Sequence, residues 1–327
     1  MSDRTYVDDL TFEAYLSEVR ELYPRLHALL DPRRIEAGTI EAYTQEMDSL
    51  SWEFEDKDVG GRGVAWARAQ DNLDNRRVGM TGLMKYFSPS YREMPGPEFQ
   101  ILDVLGGSGA IARFLSTLEQ PTPTVFTADR SKAMISACRA KKLPYIRQAA
   151  SRSLLRDGVL DGVLIAYGAQ LLDPQSRRLA AQEAYRTLKP GHRLVLHAFE
   201  AGQGVANFFD EVVHPYSRTG HPHRHFTRGE LQDLFAQAGF RDFRFFDMSD
   251  PIMLRGQTPE DAKRNAIMHM YSGYDLVKLA TSQREIEEAL EPLIVKTLSP
   301  IAVSREQDHY IAEIARTTLI AVGVKSQ

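Results

Sequence analysis

The chain has 327 residues, 43% hydrophobic and 26% charged, which suits one large globular domain or a domain with additions. Its net charge of −4 argues against a basic nucleic-acid-binding surface, and no window approaches the roughly 18 continuous apolar residues of a membrane span. The single cysteine, Cys138, excludes an intrachain disulfide, and the N-terminus lacks the apolar core of a signal peptide, so we expect a cytoplasmic protein.

Residues 1–95 show helical patterns. Apolar side chains between residues 12 and 30 recur at steps of three and four, which predicts a helix with one apolar face. These side chains are Phe12, Tyr15, Leu16, Val19, Leu22, Leu26, Leu29 and Leu30. The pattern is interrupted at "DVGGRGVAW", and the prolines and glycine of "SPSYREMPGPE" mark the end of the region. We predict a helical cap that covers a site or forms an oligomer interface.

Residues 96–255 differ in character. Four apolar runs, "FQILDVL", "PTVFTA", "LDGVLIAY" and "RLVLHAF", are continuous rather than alternating, as in strands that are buried on both faces of a parallel sheet. Helical patterns separate these runs, and such alternation is typical of a doubly wound α/β fold. "FTRGELQDLFAQAGF" predicts a further helix with a Thr227–Glu230 capping box and a terminal Gly239, and "FRDFRFFDM" predicts a strand.

Residues 256–312 are predicted to form a helical insertion, and residues 313–327 the last strand of the core. Thr258 precedes a proline at a helix start, and Ser282–Glu285 and Ser304–Gln307 fit two capping boxes. One helical face of the insertion carries Ile267, Met270, Tyr271, Tyr274 and Val277. Such a stripe is either packed core or the lining of an apolar lid, and both interpretations stay open.

The stretch "ILDVLGGSGAIARFL", residues 101–115, predicts a strand, a glycine turn and a helix start. It fits the G-x-G-x-x-G/A fingerprint, in which glycines let the backbone approach a ligand whose anionic group faces the helix N-terminus. This chemistry fits NAD and the carboxylate of S-adenosylmethionine equally. Asp103 would repel a pyrophosphate but suits the cationic amino group of a methionine moiety. Asp129, 20 residues after Gly109, can accept hydrogen bonds from both ribose hydroxyls of either molecule.

Five motifs together resemble the class I S-adenosylmethionine-dependent methyltransferases, over residues 99–250 and the last strand. They are the glycine turn and the stretches "VFTADRSKAMISACRA", "DGVLIAYGAQLL", "AYRTLKPGHRLVLHAF" and "HFTRGELQDLFAQAGF". The resemblance implies a seven-stranded Rossmann-like sheet and S-adenosylmethionine as the cosubstrate. It also implies that the cosubstrate is bound by Asp103, Gly106, Gly107, Gly109, Asp129, Arg130, Ala150, Ser151, Ala166 and Tyr167.

Two positions depart from the pattern of that family. Leu105 stands where a glycine is usual, although Gly106 keeps the turn rich in glycine. After the third strand the family often has an aspartate that reaches the adenine amino group, whereas this chain has Ala149 and Ala150 there. Backbone groups or Ser151 are therefore expected to hold the adenine.

Histidines follow the fifth strand in "VVHPYSRTGHPHRHF", a segment that borders the substrate in that family. We predict His214 or His225 as the base for a hydroxyl nucleophile, because a histidine pKa near neutral suits that role, with Tyr167 lining the site. His221, His223 and His225 alternate and could ligate a metal, but no acidic residue joins them locally, and we predict no metal site.

The resemblance, with a cap and an insertion that would enclose a pocket, predicts O-methylation of a small, largely apolar or aromatic metabolite of secondary-metabolite type. N- and C-methylation stay open. A nicotinamide-dependent oxidoreductase and a non-methylating cyclase or binding protein are the alternatives from other classes. The expected partners are the small-molecule substrate and a second copy of the chain through the N-terminal helices, with neither nucleic acid nor membrane. His197, within an apolar strand, is expected to be a core residue.

Overall fold

The computed structural model describes residues 5–49, 72–221 and 224–327. The predicted interruption at "DVGGRGVAW" and His223 lie outside the described residues. Within them the strands, in chain order, are β1 (Gln100–Asp103), β2 (Thr124–Asp129), β3 (Tyr145–Arg147), β4 (Leu160–Ile165), β5 (Leu188–Ala198), β6 (Asp242–Ser249), β7 (Ile252–Gly256), β8 (Ile301–Glu306), β9 (His309–Ile314) and β10 (Thr317–Val324).

Helices cover the strands and form most of the described part of the N-terminal region. In chain order they are α1 (Phe12–Leu22), α2 (Pro24–Leu29), α3 (Ala37–Ser49), α4 (Arg77–Lys85), α5 (Ala110–Ser116), α6 (Lys132–Ala140), α7 (Pro174–Thr187), α8 (Gly204–Phe208), α9 (His214–Tyr216), α10 (Arg228–Ala238), α11 (Pro259–Gly273) and α12 (Gln283–Thr297). A 3-10 turn at Leu73–Arg76 precedes α4, and a π-helical turn at Phe209–Val213 joins α8 to α9. In the described part of the chain, no helix has the length and apolar character needed to cross a bilayer.

The central sheet of the described residues has seven strands in the order β3-β2-β1-β4-β5-β10-β6. The strands from β3 to β5 run parallel, whereas β10 lies antiparallel between β5 and β6. The register pairs Ile320 of β10 with His197 of β5 on one side and with Phe246 of β6 on the other. The predicted α/β fold is confirmed, and the four continuous apolar runs form β1, β2, β4 and β5.

The central strands contribute side chains to two separate apolar cores, because successive side chains point to opposite faces of a strand. Ile101 packs in the core beneath α4 and α5. Leu102, the next residue, packs in the larger core with α1, α3, α6, α7 and α10. Burial on both faces explains why these strands appear in the sequence as continuous apolar runs rather than as an alternating pattern.

The N-terminal helices pack along β3, the edge strand of the sheet. The hydroxyl of Tyr15 donates a hydrogen bond to the Tyr145 carbonyl at 3.0 Å, and Leu26 is fully buried. Most of the apolar face of this region is therefore covered within the chain, although Leu22 is exposed, and an interface with a second copy stays a prediction. The single helix predicted over residues 12–30 divides before Pro24, because proline has no N–H to continue the helical hydrogen bonds.

The insertion before the last strand contains strands as well as helices. α11 and α12 share an apolar core with a three-stranded antiparallel sheet of order β7-β9-β8. The capping box predicted at Ser282–Glu285 is confirmed. The one predicted at Ser304–Gln307 is wrong, because Ser304 lies within β8 and Gln307, at φ 53°, lies in the turn to β9. The pairing of β8 with β9 determines the conformation of this segment. A full set of hydrogen bonds between two strands stabilises it more than a capping box of four residues would.

The side chains of the predicted apolar stripe lie in different environments. Ile267 and Met270 of α11 are buried in the core of the insertion, whereas Val277 is exposed. Tyr274 packs in the same core and also lines the cavity described below. The core interpretation therefore holds for most of the stripe, and Tyr274 alone of these five residues reaches the cavity lining.

Candidate active site

A cavity of about 1410 Å³, counted with its open mouth, lies at the carboxyl ends of β1, β2 and β4. Open α/β sheets bind ligands at this edge, near the point where the strand order reverses. The strand-end wall of the cavity consists of Asp103, Gly106, Gly107, Asp129, Arg130, Ala150, Ser151 and Ala166. The aromatic wall consists of Leu73, Asn75, Arg76, Met80, Tyr167, Phe209 and Tyr274.

The glycine turn between β1 and α5 has a backbone shape that side chains disfavour. Gly107 has φ 56° and Gly109 has φ 79°, both in the left-handed region that glycine adopts without strain. A Cβ atom at Gly106 would lie 2.7 Å from Thr127 Cγ2, and one at Gly109 would lie 2.4 Å from Leu143 Cδ1. The turn is therefore held tightly, with the Gly106 and Gly107 backbone exposed to the cavity.

Asp129, at the end of β2, fixes the turn from the neighbouring strand. Its Oδ2 accepts the Gly107 N–H at 3.0 Å, and its Oδ1 accepts the Ser131 N–H at 2.8 Å. A carboxylate has about four lone-pair sites, so one such side chain can accept several hydrogen bonds at once. The same side chain can therefore brace the backbone and accept hydrogen bonds from a ligand.

Asp103, at the end of β1, is a buried carboxyl in the strand-end wall. Its Oδ1 has no hydrogen-bond partner among the described residues. Burial raises the pKa of Asp103 to about 8, and the nearby charge of Asp129 adds to the increase. At pH 7 the group is therefore mainly protonated until a cation approaches it.

Tyr167 follows β4 in a strained conformation, with φ 58° for a residue that has a side chain. Its N–H donates to His197 Nδ1 at 3.4 Å, and the two rings lie 4.2 Å apart. Because Nδ1 accepts this bond, the proton of the neutral imidazole is on Nε2, which faces Asp250 Oδ2 at 3.7 Å. Burial lowers the pKa of His197 and so favours this neutral form. His197 is buried as predicted, within a polar network rather than an apolar one.

Asp250, which follows β6, is fully buried between two arginines. Its Oδ2 lies 2.7 Å from Arg316 Nη2 and 3.6 Å from Arg76 Nη2, and its Oδ1 accepts the Tyr167 hydroxyl at 3.3 Å. Burial by itself raises the pKa of Asp250, but the charge of Arg316, the nearby His197 side chain and the charge of Arg76 lower it to about 2. We call Arg76, Tyr167, His197, Asp250 and Arg316 the Asp250 cluster.

Two features hold the Asp250 cluster against the aromatic wall. The Arg76 guanidinium lies 3.6 Å from the centre of the Tyr167 ring, a cation–π contact that orients both groups. α4 approaches so closely that a Cβ atom at Gly79 would lie 1.8 Å from Asp250 Oδ1. A glycine at this position is therefore what lets α4 carry Arg76 into the wall of the cavity.

The strand order and a family match together identify the domain. The antiparallel β10 between β5 and β6 distinguishes this sheet from the all-parallel sheet of a dinucleotide-binding domain. Residues 101–191 match a family model described as a methyltransferase domain. Residues 101–191 therefore form a methyltransferase domain of the class I S-adenosylmethionine-dependent type. The matched part of the chain runs from β1 into the start of β5 and contains the glycine turn, Asp103 and Asp129.

Curated relatives of this methyltransferase resemble it over part of their length. The ubiquinone/menaquinone biosynthesis C-methyltransferase UbiE of Stutzerimonas stutzeri is 31% identical over 126 residues, which are 36% of this chain and 48% of the relative. The protein of the same name from Haemophilus ducreyi is 24% identical over 180 residues, 47% of this chain and 69% of the relative. The chain spans about half the length of the first curated relatives that it matches.

Solved structures share the fold of this methyltransferase at low sequence identity. A putative methyltransferase in complex with the Haloferax volcanii Trm112 methyltransferase activator has a TM-score of 0.50 at 17% identity, covering 81% of this chain and 96% of its own. A possible histamine N-methyltransferase from Thermotoga maritima has a TM-score of 0.45 at 15% identity, covering 80% and 100%. At 17% identity, the first of these similarities concerns the fold alone.

The residues predicted to bind the cosubstrate lie together in this methyltransferase. The eight residues of the strand-end wall and Tyr167 line the one cavity. Gly109 is not among the lining residues, and it shapes the turn instead. The unpartnered Oδ1 of Asp103 suits the ammonium group of S-adenosylmethionine, so the residues present fit that molecule. The individual contacts with the cosubstrate stay predictions.

The two departures from the family pattern also lie at the cavity. Leu105 lines it and packs so closely on Gly168 that a Cβ atom there would lie 3.3 Å from Leu105 Cδ1. Because Gly168 has no side chain, the space beside it accommodates Leu105, which stands where the family usually has a glycine. Ala149, Ala150 and Ser151 line the cavity after β3, where the adenine was expected to meet backbone groups or the serine.

The predicted histidine bases do not join Tyr167 in the lining of the cavity. His214 Nδ1 accepts the His221 N–H at 3.1 Å. His225 is buried with its ring 5.3 Å from Phe209, which itself lines the cavity. Among the residues that the structure describes, no three histidine, cysteine or acidic side chains are grouped to hold a metal. The base role of His214 or His225 stays a prediction.

Sequence reasoning missed the Asp250 cluster and most of the aromatic wall. Arg76 and Asn75 fall within the predicted cap of residues 1–95, and Asp250 and Arg316 are not among the predicted site residues. Two local signals were present: "SDP" places an acid directly after the β6 strand, and "IARTT" places an arginine between two apolar strands. Neither signal identifies its partner, because the two charges meet only when β10 inserts beside β6.

Proposed function

We propose that this protein transfers a methyl group from S-adenosylmethionine to a small molecule held in the same cavity. The observation that carries the proposal is that two walls of different chemistry, the strand-end wall and the aromatic wall, line the same cavity. The strand-end wall has a glycine turn and two carboxyls, and the aromatic wall adds apolar and aromatic side chains from α4, the π-helical turn and the insertion. A cavity enclosed from three distant parts of the chain supports a small substrate. A cytoplasmic location, expected from the cysteine content, belongs to the same proposal.

The strand-end wall would hold the cosubstrate. Asp129 would accept hydrogen bonds from the ribose hydroxyls, and Asp103 would face the amino group. The sulfonium of S-adenosylmethionine supplies an activated methyl group with a good leaving group. The protein then has to align the acceptor and exclude water, and such orientation contributes up to roughly 7–11 kcal/mol in favourable cases.

The aromatic wall would hold the acceptor. Met80 and Phe209 offer apolar surface, while Tyr167 is fixed by its bonds to His197 and Asp250. Burial raises the pKa of Tyr167, and the charge of Asp250 adds to the increase. The phenol therefore stays protonated at neutral pH, and it positions the acceptor rather than removing a proton.

Cosubstrate binding is tested with Asp129→Ala. Calorimetry with S-adenosylhomocysteine is expected to show a loss of about 1–3 kcal/mol, because two hydrogen bonds to the ribose disappear. Asp233→Ala, on the exposed surface of α10, is the matched control and should leave the affinity unchanged. NADH should not bind. Unchanged affinity in Asp129→Ala, or preferred binding of NADH, would remove this site assignment.

Asp103 makes cosubstrate binding depend on pH. Its pKa is about 8 without ligand, and a nearby ammonium group favours the ionised form, so binding below pH 8 should release a proton. We expect S-adenosylhomocysteine to bind more weakly as the pH falls below 8, and Asp103→Asn to lose this dependence. Calorimetry at pH 7 in buffers of different ionisation enthalpy counts the released proton.

A stability measurement provides the control for Asp103→Asn. The folded pKa of Asp103 is about 8, above the value of 3.8 for a free carboxyl, so its contribution to stability is lost as the pH rises from about 4 to about 8. The asparagine variant should therefore gain stability relative to the parent over that range and show no further gain above pH 8. An identical pH profile of affinity in the parent and the variant would contradict the role of Asp103.

The oxygen acceptor predicted from the sequence requires a base. His214→Ala and His225→Ala are expected to lower turnover and to change its pH profile if either imidazole removes the hydroxyl proton. Affinity for S-adenosylhomocysteine should remain unchanged in both, since neither residue lines the cavity. Full turnover in both variants would show that the histidine-base hypothesis is wrong.

C-methylation is a second candidate, favoured by the similarity to the UbiE C-methyltransferases. A carbon nucleophile of enol type needs no histidine base, which agrees with a cavity lining in which the described residues include no histidine. Nuclear magnetic resonance of a methyl-labelled product distinguishes a methyl group on oxygen from one on carbon. A protein that binds S-adenosylhomocysteine but methylates no metabolite would be the non-methylating alternative.

A further inference from the structure

The Asp250 cluster brings two guanidinium groups to a single carboxylate. Asp250 Oδ2 lies 2.7 Å from Arg316 Nη2 and 3.6 Å from Arg76 Nη2. No other carboxylate among the described residues forms an ion pair with either arginine, and arginine side chains remain protonated at neutral pH. The cluster therefore carries one positive charge more than its own acid can balance.

Among the residues that the structure describes, the neighbouring titratable groups do not supply the missing negative charge. Tyr167 stays protonated, and His197 is neutral. His269 of α11 is held neutral as well, because burial and then the charges of Arg76 and Arg316 lower its pKa to about 4. Asp103 is mainly protonated at pH 7. An uncompensated charge at a largely buried position costs several kcal/mol, so the excess is a feature that needs a partner.

Of the two arginines, Arg76 is the one that places its positive charge at the cavity. Arg316 is almost fully buried and donates to both the side chain and the main-chain oxygen of Asp250. Arg76 has the longer contact with Asp250, lines the cavity, and keeps 14% of its side chain exposed. Its Nε has no hydrogen-bond partner among the described residues. The Tyr167 ring beneath the guanidinium fixes its plane, and Asn75 adds an amide to the same wall.

We propose that the methyl acceptor carries a carboxylate, which binds Arg76 at the aromatic wall and neutralises the Asp250 cluster. The proposal rests on the proposed function, because it names the class of molecule that the acceptor side of the cavity takes. A planar guanidinium matches the two oxygens of a carboxylate, and a partly buried pair of this kind is stronger than an exposed one. The apolar side chains of Met80 and Phe209 would contact the remainder of the acceptor.

Matched pairs of probes test the charge preference in the full chain saturated with S-adenosylhomocysteine. The probes are benzoate with benzamide, 3-phenylpropanoate with 3-phenylpropanamide, and indole-3-acetate with indole-3-acetamide. By calorimetry, at least one carboxylate is expected to bind roughly tenfold or more tightly than its amide, a difference of about 1.4 kcal/mol. If no carboxylate binds more tightly than its amide, the proposal is wrong.

Variants assign the preference to Arg76. Arg76→Gln is expected to remove the difference between carboxylate and amide, whereas Arg76→Lys, which retains the charge, should keep its direction. Arg284→Gln, on the exposed surface of α12, is the matched control and should behave like the parent. A preference that persists in Arg76→Gln would overturn the assignment. If Arg76→Gln does not fold, the probe pairs in the parent protein and in Arg76→Lys still decide.

The same titrations separate this proposal from the proposed function. Binding of S-adenosylhomocysteine belongs to the strand-end wall, so Arg76→Gln should retain it. If the parent protein fails to bind S-adenosylhomocysteine, the proposed function fails. If it binds S-adenosylhomocysteine and shows no preference for carboxylates, only the assignment of the acceptor class fails.

Discussion

Replacement of Gly107 by valine is expected to abolish binding of S-adenosylhomocysteine, with a loss of at least roughly 100-fold, or about 2.7 kcal/mol. Gly107 has φ 56°, which a β-branched side chain strongly disfavours, and the residue lines the cavity. Its N–H also donates to Asp129, so a distorted turn would misplace that carboxylate as well. Calorimetry of the purified variant measures the effect.

A matched glycine separates local strain from loss of the site. Gly96 lies in the loop before β1, and nothing lies within 4 Å of a Cβ atom placed there. Gly96→Val should therefore retain the parent affinity. Circular dichroism should show that Gly107→Val keeps its secondary structure. A folded Gly107→Val protein with unchanged affinity would mean that the cosubstrate does not approach this turn.

Replacement of Asp250 by asparagine is expected to destabilise the fold by about 3–5 kcal/mol, because two arginines then lose a buried partner. Asp250 is fully buried, pairs with Arg316 and accepts the Tyr167 hydroxyl, and His197 Nε2 lies 3.7 Å from its Oδ2. Urea unfolding measures the loss. Asp247→Asn, within β6, is the matched control: its pair with Arg228 is exposed, so a change of about 0–1 kcal/mol is expected.

The difference in stability between the parent protein and Asp250→Asn should depend on pH. The pKa of Asp250 is lowered to about 2 in the fold, below the value of 3.8 for a free carboxyl. Its stabilisation is therefore present above pH 4 and is lost as the pH falls from about 4 to about 2. The difference in unfolding free energy between the parent and Asp250→Asn should shrink over that range. A constant difference would show that Asp250 is not held ionised by its arginines.

Local patterns in the sequence were sufficient for the central elements and for the strand-end wall. The apolar runs became β1, β2, β4 and β5, because strands buried on both faces require apolar residues at every position. Gly107 and Asp129 could be placed at one edge, since the carboxyl ends of parallel strands meet there. Predictions failed where pairing between distant segments decided the structure, as at Ser304, which is part of a strand rather than a helix cap.

The sequence by itself determined the strand–helix alternation, the glycine turn and the two acids at strand ends, because each depends on residues close together in the chain. Only the tertiary structure decided that Arg76, Asp250 and Arg316 share one buried site. The physical reason is that a buried charge is tolerated only beside a partner. That partner comes from a distant segment, and it is brought close only when α4 and β10 pack against β6.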